Sequence, residues 1–423
     1  MKINKIRGRQ ILDSRGNPTL EVELHLNNGI TGISSVPSGA SRGTKEAIEL
    51  RDSDNKKVLE GKAVYRAIEK LGTIEPIIKK ESFENITLFD KFLIELDGTE
   101  NKRNLGGNVI LGLSLSFAKA LALSNNLPLY RYIKKEFDIK GDDKIPVPLF
   151  NFINGGVHAD NNISIQEFFL IPHTPTSFKG RIFKSVEVFY QLKKILKENS
   201  KSTLVGDEGG FAPELDNDEE ALEYLTEAIN RCGYRIGADF TLGLDCAGSQ
   251  LYQDGHYSFF KLSKKPHHKY SEFLKYYLAW VDKYNITVIE DPFAEQDYQA
   301  WRDFTKLIGD KITIVGDDIY CTNIKYIEKG IKERLSNAVL IKPNQIGTIY
   351  ETFLAVKLAK ENNFKTAFSH RSGETEDVWA SHLAVAFGND YVKFGGLSRS
   401  ERLAKYNELL RIEENILSQE KQF

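Results

Sequence analysis

The 423-residue chain contains only three cysteines, Cys232, Cys246 and Cys321. An odd number at such wide spacing fits neither a disulfide framework nor a zinc site, and the three read as packing residues in a reducing cytoplasm. An excess of charge of either sign is missing too. At a formal net charge of −2 there is no broad basic field to draw nucleic acid or an anionic membrane. No uninterrupted apolar run reaches membrane-spanning length. The nearest, VILGLSLSFAKALALS, is broken by Lys119 and its serines and reads as a buried or amphipathic helix. The start, MKINKIRGRQ, is polar and basic without an apolar core behind it, so a signal peptide is not expected. A cytoplasmic location without membrane insertion is the expectation.

What is present is ordinary in bulk: 41% hydrophobic and 27% charged residues, over a length that suits two domains. Residues 1–140 read as an α+β unit. TLEVELHL alternates like a half-buried strand after the turn SRGNP, and helical patterns follow in KAVYRAIEKLGTIEPIIKK and around Leu111–Leu123. The charged stretch KKEFDIKGDDKIP reads as a linker. Over residues 141–423 short apolar segments recur, each followed by a polar cluster and usually by a helical pattern. They are VPLFNFING, EFFLIP, STLVGDEGG, FTLGLDCAG, ITVIEDPF, ITIVGDDIY, AVLIKPNQ, KTAFSHRSG and YVKFGG. Strands alternating with helices pair in parallel, and about eight such units predict an α/β fold closed as a (β/α)₈-type barrel, capped by the N-terminal α+β domain. An open doubly wound sheet is disfavoured. No Gly-x-Gly-x-x-Gly fingerprint opens the first unit, and polar clusters follow nearly every strand instead of gathering at one crevice.

The segment ITVIEDPF runs from a buried strand straight into Glu290 and Asp291. In a barrel the C-terminal strand ends line a common mouth, so such a strand delivers its acids there. The ends supply Glu208, Asp245, Glu290, Asp317, Lys342, His370 with Arg371, and Lys393, too much charge for a structural core. One acid after a strand commonly caps the next helix. Asp245, Glu290 and Asp317 close three successive strands, and three oxygen ligands with water suit Mg²⁺. Spacing leaves open which member of Glu290/Asp291, and of Asp317/Asp318, faces a metal. Lys342 is either an ion-pair partner of these acids or a general base with a lowered pKa. Glu167, inside the apolar IQEFF, is costly to bury unless paired or protonated. If it meets Glu208 across the mouth, repulsion between the two keeps a proton available for donation. HRSG offers a guanidinium and a hydroxyl, a grip for phosphate. PSGASRG, Pro37 to Gly43, is either a lid over the mouth or an ordinary surface loop.

The stretches ILDSRGNPTLEVEL, VPSGASRG, NGGVHADN, IQEF, GDEGGFAP, LDCA, IEDPF, GDDIYCTN, IKPNQIGT, SHRSGETED and SRSERLAKYNELLRIEE occur in this order. Together they resemble the enolase family over essentially the whole chain. The resemblance implies reversible dehydration of 2-phosphoglycerate to phosphoenolpyruvate with two Mg²⁺ ions, the second arriving with substrate. It implies Lys342 as the base that takes the C2 proton and Glu208, with Glu167 beside it, as the acid for the C3 hydroxyl. By the same matching Asp245, Glu290 and Asp317 hold the first Mg²⁺ and Ser41 joins the second. His158, Arg371 and Ser372 would contact the substrate or its phosphate and Lys393 its carboxylate, with Gln166, Glu167, Glu290, Asp317 and His370 completing the pocket. The family's barrel starts with an antiparallel arrangement, which sets residues 147–172 against the all-parallel reading. Homodimers or octamers, and a secondary presence at the cell surface, are also family traits.

The chain departs from the family pattern at Arg42, where a Thr is usual, at Phe394, where Lys393 is usually followed by Thr, and at His382, which replaces an Asp. None removes a catalytic side chain. They bear on lid closure and on packing at the carboxylate end. The rival readings are a related lyase acting on a phosphonate or phosphorylated hydroxy acid, and a non-catalytic surface-binding protein.

Overall fold

Alternation in the second strand sets the N-terminal half. The computed structural model describes residues 1–39, 43–259, 261 and 268–420. Strands β1 (Ile3–Leu12), β2 (Pro18–Leu26) and β3 (Thr31–Ser35) form an antiparallel sheet in that order. Along β2, Leu20, Val22 and Leu24 are fully buried, while Glu21 and Glu23 face outward and pair with Arg9 of β1. Four helices follow: α1 (Tyr65–Ile78), α2 (Ile86–Asp97), α3 (Gly107–Ser124) and α4 (Leu129–Glu136). Helix α3 has the length and apolarity to cross a membrane, yet 83% of it is buried inside the protein. It lies against β2 and β3 so closely that a Cβ on Gly32 would sit 1.9 Å from the Ser116 carbonyl oxygen. That contact requires glycine. The apolar run is therefore a core helix.

The second half is a closed barrel. Its walls are β4 (Val147–Pro148) continuing past Leu149 into β5 (Phe150–Asn154), then β6 (Glu167–Pro172), β7 (Phe240–Asp245), β10 (Ile286–Glu290), β11 (Thr313–Gly316), β12 (Ala338–Ile341), β13 (Lys365–Ser369) and β14 (Tyr391–Lys393). A small hairpin, β8 (Tyr252–Gln253) with β9 (His256–Tyr257), leaves after β7. Because β4 pairs with β14 and β5 with β6, the sheet closes on itself. The surrounding helices are α5 (Phe178–Glu198), α6 (Asp218–Arg231), α7 (Tyr270–Tyr284), α8 (Tyr298–Ile308), α9 (Ile324–Glu333), the short α10 (Pro343–Ile346), α11 (Ile349–Glu361), α12 (Trp379–Ala386) and α13 (Ser400–Glu420).

Two expectations need correction. The barrel is not all-parallel: β6 runs antiparallel to both β5 and β7, and the later neighbours are parallel. Residue periodicity encodes which face is buried, not which way a strand runs. STLVGDEGG also makes no strand. It follows the barrel wall as an extended segment with isolated bridges from Phe211 to Val205 and Ile153, and Gly209 there adopts φ 87°.

Inside the barrel, below the mouth, Leu149, Phe169, Ile171, Val288, Val315, Ala338, Leu340 and Ala367 form their own apolar cluster. The two halves are stitched together at the start of α11, where Asp90 of α2 accepts a hydrogen bond from Tyr350 N at 2.9 Å and Ser114 of α3 one from Ile349 N at 3.1 Å. Near the mouth, Ser38 and Gly373 exchange backbone hydrogen bonds of 2.8 and 2.9 Å, which brings the N-terminal loop over the strand ends.

Candidate active site

Strand pleat decides which acids enter the barrel. Val288 belongs to the interior cluster, and Glu290, two residues on, shares its face. By the same step Val315 precedes Asp317, and Leu340 precedes Lys342. Glu167 opens its strand instead of closing it, and arrives at the same mouth because β6 runs in reverse. Its register partner is Asp245, whose other partner is Glu290. Three acids on adjacent strands thus stand side by side, all buried.

Asp291 takes the other direction. Its left-handed backbone (φ 41°) turns the carboxylate to accept from Asp317 N at 2.8 Å and Asp318 N at 3.0 Å, tying two strand ends together. Asp317 receives Gln345 Nε2 at 2.8 Å and pairs with Lys342, while Asp318 is half-buried.

The lysines knit the acids together. Lys393 Nζ lies 2.7 Å from Asp245 Oδ2, 2.8 Å from both Glu290 oxygens and 3.0 Å from Glu167 Oε1. Burial opposes its charge, but Asp245, Glu167 and Glu290 overcome this and hold the ammonium well above its ordinary range. Lys342 behaves alike: burial pulls its pKa down, and the acids around it, Asp317 first and then Glu290, leave it raised. Across the mouth, Asn151 Nδ2 donates to Glu167 at 2.8 Å and to Glu208 at 3.4 Å. His158 Nδ1 stands 3.7 Å from Glu167 and 3.5 Å from Glu208. Burial, then the charge of Glu208, pushes Glu167 far above the usual carboxylate range, so the proton of this pair rests on Glu167.

Of the expected residues, His158, Gln166, Glu167, Glu208, Asp245, Asp317, Lys342, His370, Arg371, Ser372 and Lys393 line one cavity. Glu290 joins it through Lys393. Ser41 and Arg42 lie outside the described residues. The cavity also takes in Glu46, Asp291 and Asp318, so its acids outnumber Lys342, Arg371 and Lys393. Burial and then repulsion raise the pKa of Glu290 and Asp291 far above normal, and that of Asp318 to about 7. This oxygen-rich, cation-poor wall fits a divalent ion. Among the described residues two trios have ligand atoms within 4.8 Å of one another, His158/Glu167/Glu208 and Asp291/Asp317/Asp318. Asp245 and Glu290 meet instead on Lys393, while Asp317 pairs with Lys342.

Residues 3–133 match the model of the enolase N-terminal domain and residues 142–423 that of the enolase C-terminal TIM barrel domain. Curated relatives named Enolase from Ehrlichia ruminantium (strains Gardel and Welgevonden) are each 49% identical over 415 residues, covering 98% of this chain and 96% of theirs. One from Ehrlichia chaffeensis is 49% identical over 414 residues, 97% of this chain and 96% of its own. The chain belongs to the enolase family.

Several residues around this enolase-family pocket gave no signal of their own in the sequence. Glu46 grips Arg371 with both carboxylate oxygens, at 3.0 and 3.3 Å, from 325 positions away. Gln345 and Asn151 are neutral amides inside apolar or turn segments. Arg402 sits in the first turn of α13 and looks like any helical arginine until its partners are seen. Two of the departures are accommodated: Phe394 is buried against Tyr406, and His382 stacks on Tyr130 and pairs with Glu408 at 3.2 Å.

Proposed function

We propose that this enzyme, a carbon–oxygen lyase of glycolysis, interconverts 2-phosphoglycerate and phosphoenolpyruvate in the cytoplasm with two Mg²⁺ ions, the second binding with substrate. The observation that carries the reading is the convergence of strand-end acids, two lysines and an arginine in one buried pocket. In this reading Asp245, Glu290 and Asp317 hold the first ion and Ser41 the second. Bound there, Mg²⁺ neutralises the charge that builds on the substrate carboxylate when the C2 proton leaves.

Lys342 is the base. Burial, Arg371 and Lys393 lower its pKa while Asp317 and Glu290 raise it, so drawing those two acids away would favour the free amine that proton abstraction needs. Glu208 is the acid for the C3 hydroxyl, with Glu167 storing the proton that the pair shares. Lys342 follows β12, four strands round the barrel from β6 and Glu167, so base and acid approach from opposite walls. Opposite approach suits removal of H and OH from two faces of one substrate. Arg371, Ser372 and His158 grip the phosphate end, and Lys393 the carboxylate, with Gln166 and His370 filling the pocket between them. The domain boundary falls near residue 140, and the working unit is a homodimer or an octamer built from dimers.

The test is phosphoenolpyruvate formation from 2-phosphoglycerate with Mg²⁺ and with excess chelator. Turnover that chelator abolishes is expected. A folded protein that binds Mg²⁺ and turns over only a different phosphorylated hydroxy acid would replace this reading with the altered-substrate one suggested by Arg42 and Phe394.

A further inference from the structure

Arg402 is completely buried in α13, yet its guanidinium touches no substrate-facing acid. Its donors go to the carbonyl oxygens of Arg371 (2.6 Å), Ser372 and Asp207 (3.1 Å), and to His370 Nδ1 at 2.7 Å. One side chain therefore clips together the two segments that carry His370, Arg371 and Ser372 on one side and Glu208 on the other. Glycine is needed beside it: a Cβ on Gly395, at φ 89°, would lie 2.6 Å from the Glu208 carbonyl oxygen and 2.9 Å from Arg402 Cδ.

The contact with His370 has a consequence for the proton on the ring. A guanidinium has donors and no acceptor. His370 Nδ1 must then present its lone pair, which makes the imidazole neutral and leaves its one N–H on Nε2. That Nε2 is buried, lies 3.2 Å from Glu208 Oε2, and makes no aligned hydrogen bond among the described residues. A buried N–H without an aligned partner is costly unless a ligand supplies one. We propose that Arg402 is a positioning residue that locks His370 as its Nε2–H tautomer, so that the ring presents a donor beside Glu208 where the hydroxyl departs. The consequence for dehydration rests on the role assigned to Glu208 above; the tautomer does not.

The tautomer is read directly by long-range ¹H–¹⁵N spectroscopy of the imidazoles in the unmodified protein. The His370 signals are assigned by their loss in His370→Gln. A neutral ring protonated at Nε2 is expected near neutral pH, and an Nδ1–H tautomer or an imidazolium there would overturn the proposal. The second arm is Arg402→Lys, which keeps the charge but loses the fork. If it folds, the lock should loosen. The expected result is a kcat for 2-phosphoglycerate lower by between about 10- and 100-fold, KM changed less, and exchange of the C2 proton with solvent retained. Equal loss of exchange and dehydration, or unchanged kcat, would reduce Arg402 to a structural clip. Should the variant not fold, the spectrum of the unmodified protein decides alone. A protein with the expected tautomer but no dehydration would leave this proposal standing and sink the assigned reaction instead.

Discussion

The barrel mouth and the barrel interior are built from the same strands and the same inward faces, yet they are opposites. Val288 and Glu290 point the same way two residues apart, and so do Val315 and Asp317, and Leu340 and Lys342. Below, the apolar side chains of the interior cluster meet, and burial there is favourable at roughly 25 cal/mol per Å². Above, carboxylates are crowded until burial and repulsion lift the pKa of Glu167, Glu290 and Asp291 well beyond normal. Such crowding is unfavourable to the bare fold and is held in place by Lys342, Lys393 and the strands beneath. Stability is thus concentrated in the lower layer and chemistry in the upper one, with a single pleat between them.

Glu290→Gln should break this division most visibly. Mg²⁺-dependent dehydration is expected to fall by about 10³-fold or more. The melting temperature in chelator should hold or rise, because Lys393 keeps Asp245 and Glu167 as partners. A large drop in melting temperature would show that the mouth stabilises the barrel after all. Leu340→Ala probes the other layer: unfolding by denaturant should show a loss of about 2–5 kcal/mol, with kcat near that of the parent below the melting transition. Loss of activity in a still-folded protein would show that the layers are coupled.

A smaller effect is expected at a third place, where the two halves meet. Burial raises the Asp90 carboxyl from 3.8 to about 7. The folded state therefore binds this proton more tightly than the unfolded chain, and its stability contribution is full below 3.8 and lost as pH climbs through about 7. Asp90→Asn should match the parent in acid and melt a few degrees higher above neutrality. A parallel pH dependence of melting in parent and variant would remove Asp90 as the source.

Much of this was legible in the residues. Strand ends marked the mouth because apolar runs stopped abruptly at charge, as in ITVIEDPF, and the motif order carried the family. What was not legible had physical reasons. The reversal of β6 left no trace, since a strand buried on both faces reads the same in either direction. Spacing left Glu290 and Asp291 open and only the resemblance chose between them; in the fold Glu290 meets Lys393 while Asp291 accepts from the backbone of Asp317 and Asp318. Glu46 and Arg402 act through partners hundreds of residues or several elements away, and no local pattern encodes such contacts.

The assignment of a base on one wall and an acid on the other is tested most directly by deuterium incorporation at C2 of 2-phosphoglycerate in heavy water. Glu208→Gln should still exchange the C2 proton while forming almost no phosphoenolpyruvate, and Lys342→Ala should do neither. Exchange that survives in Lys342→Ala would contradict the account.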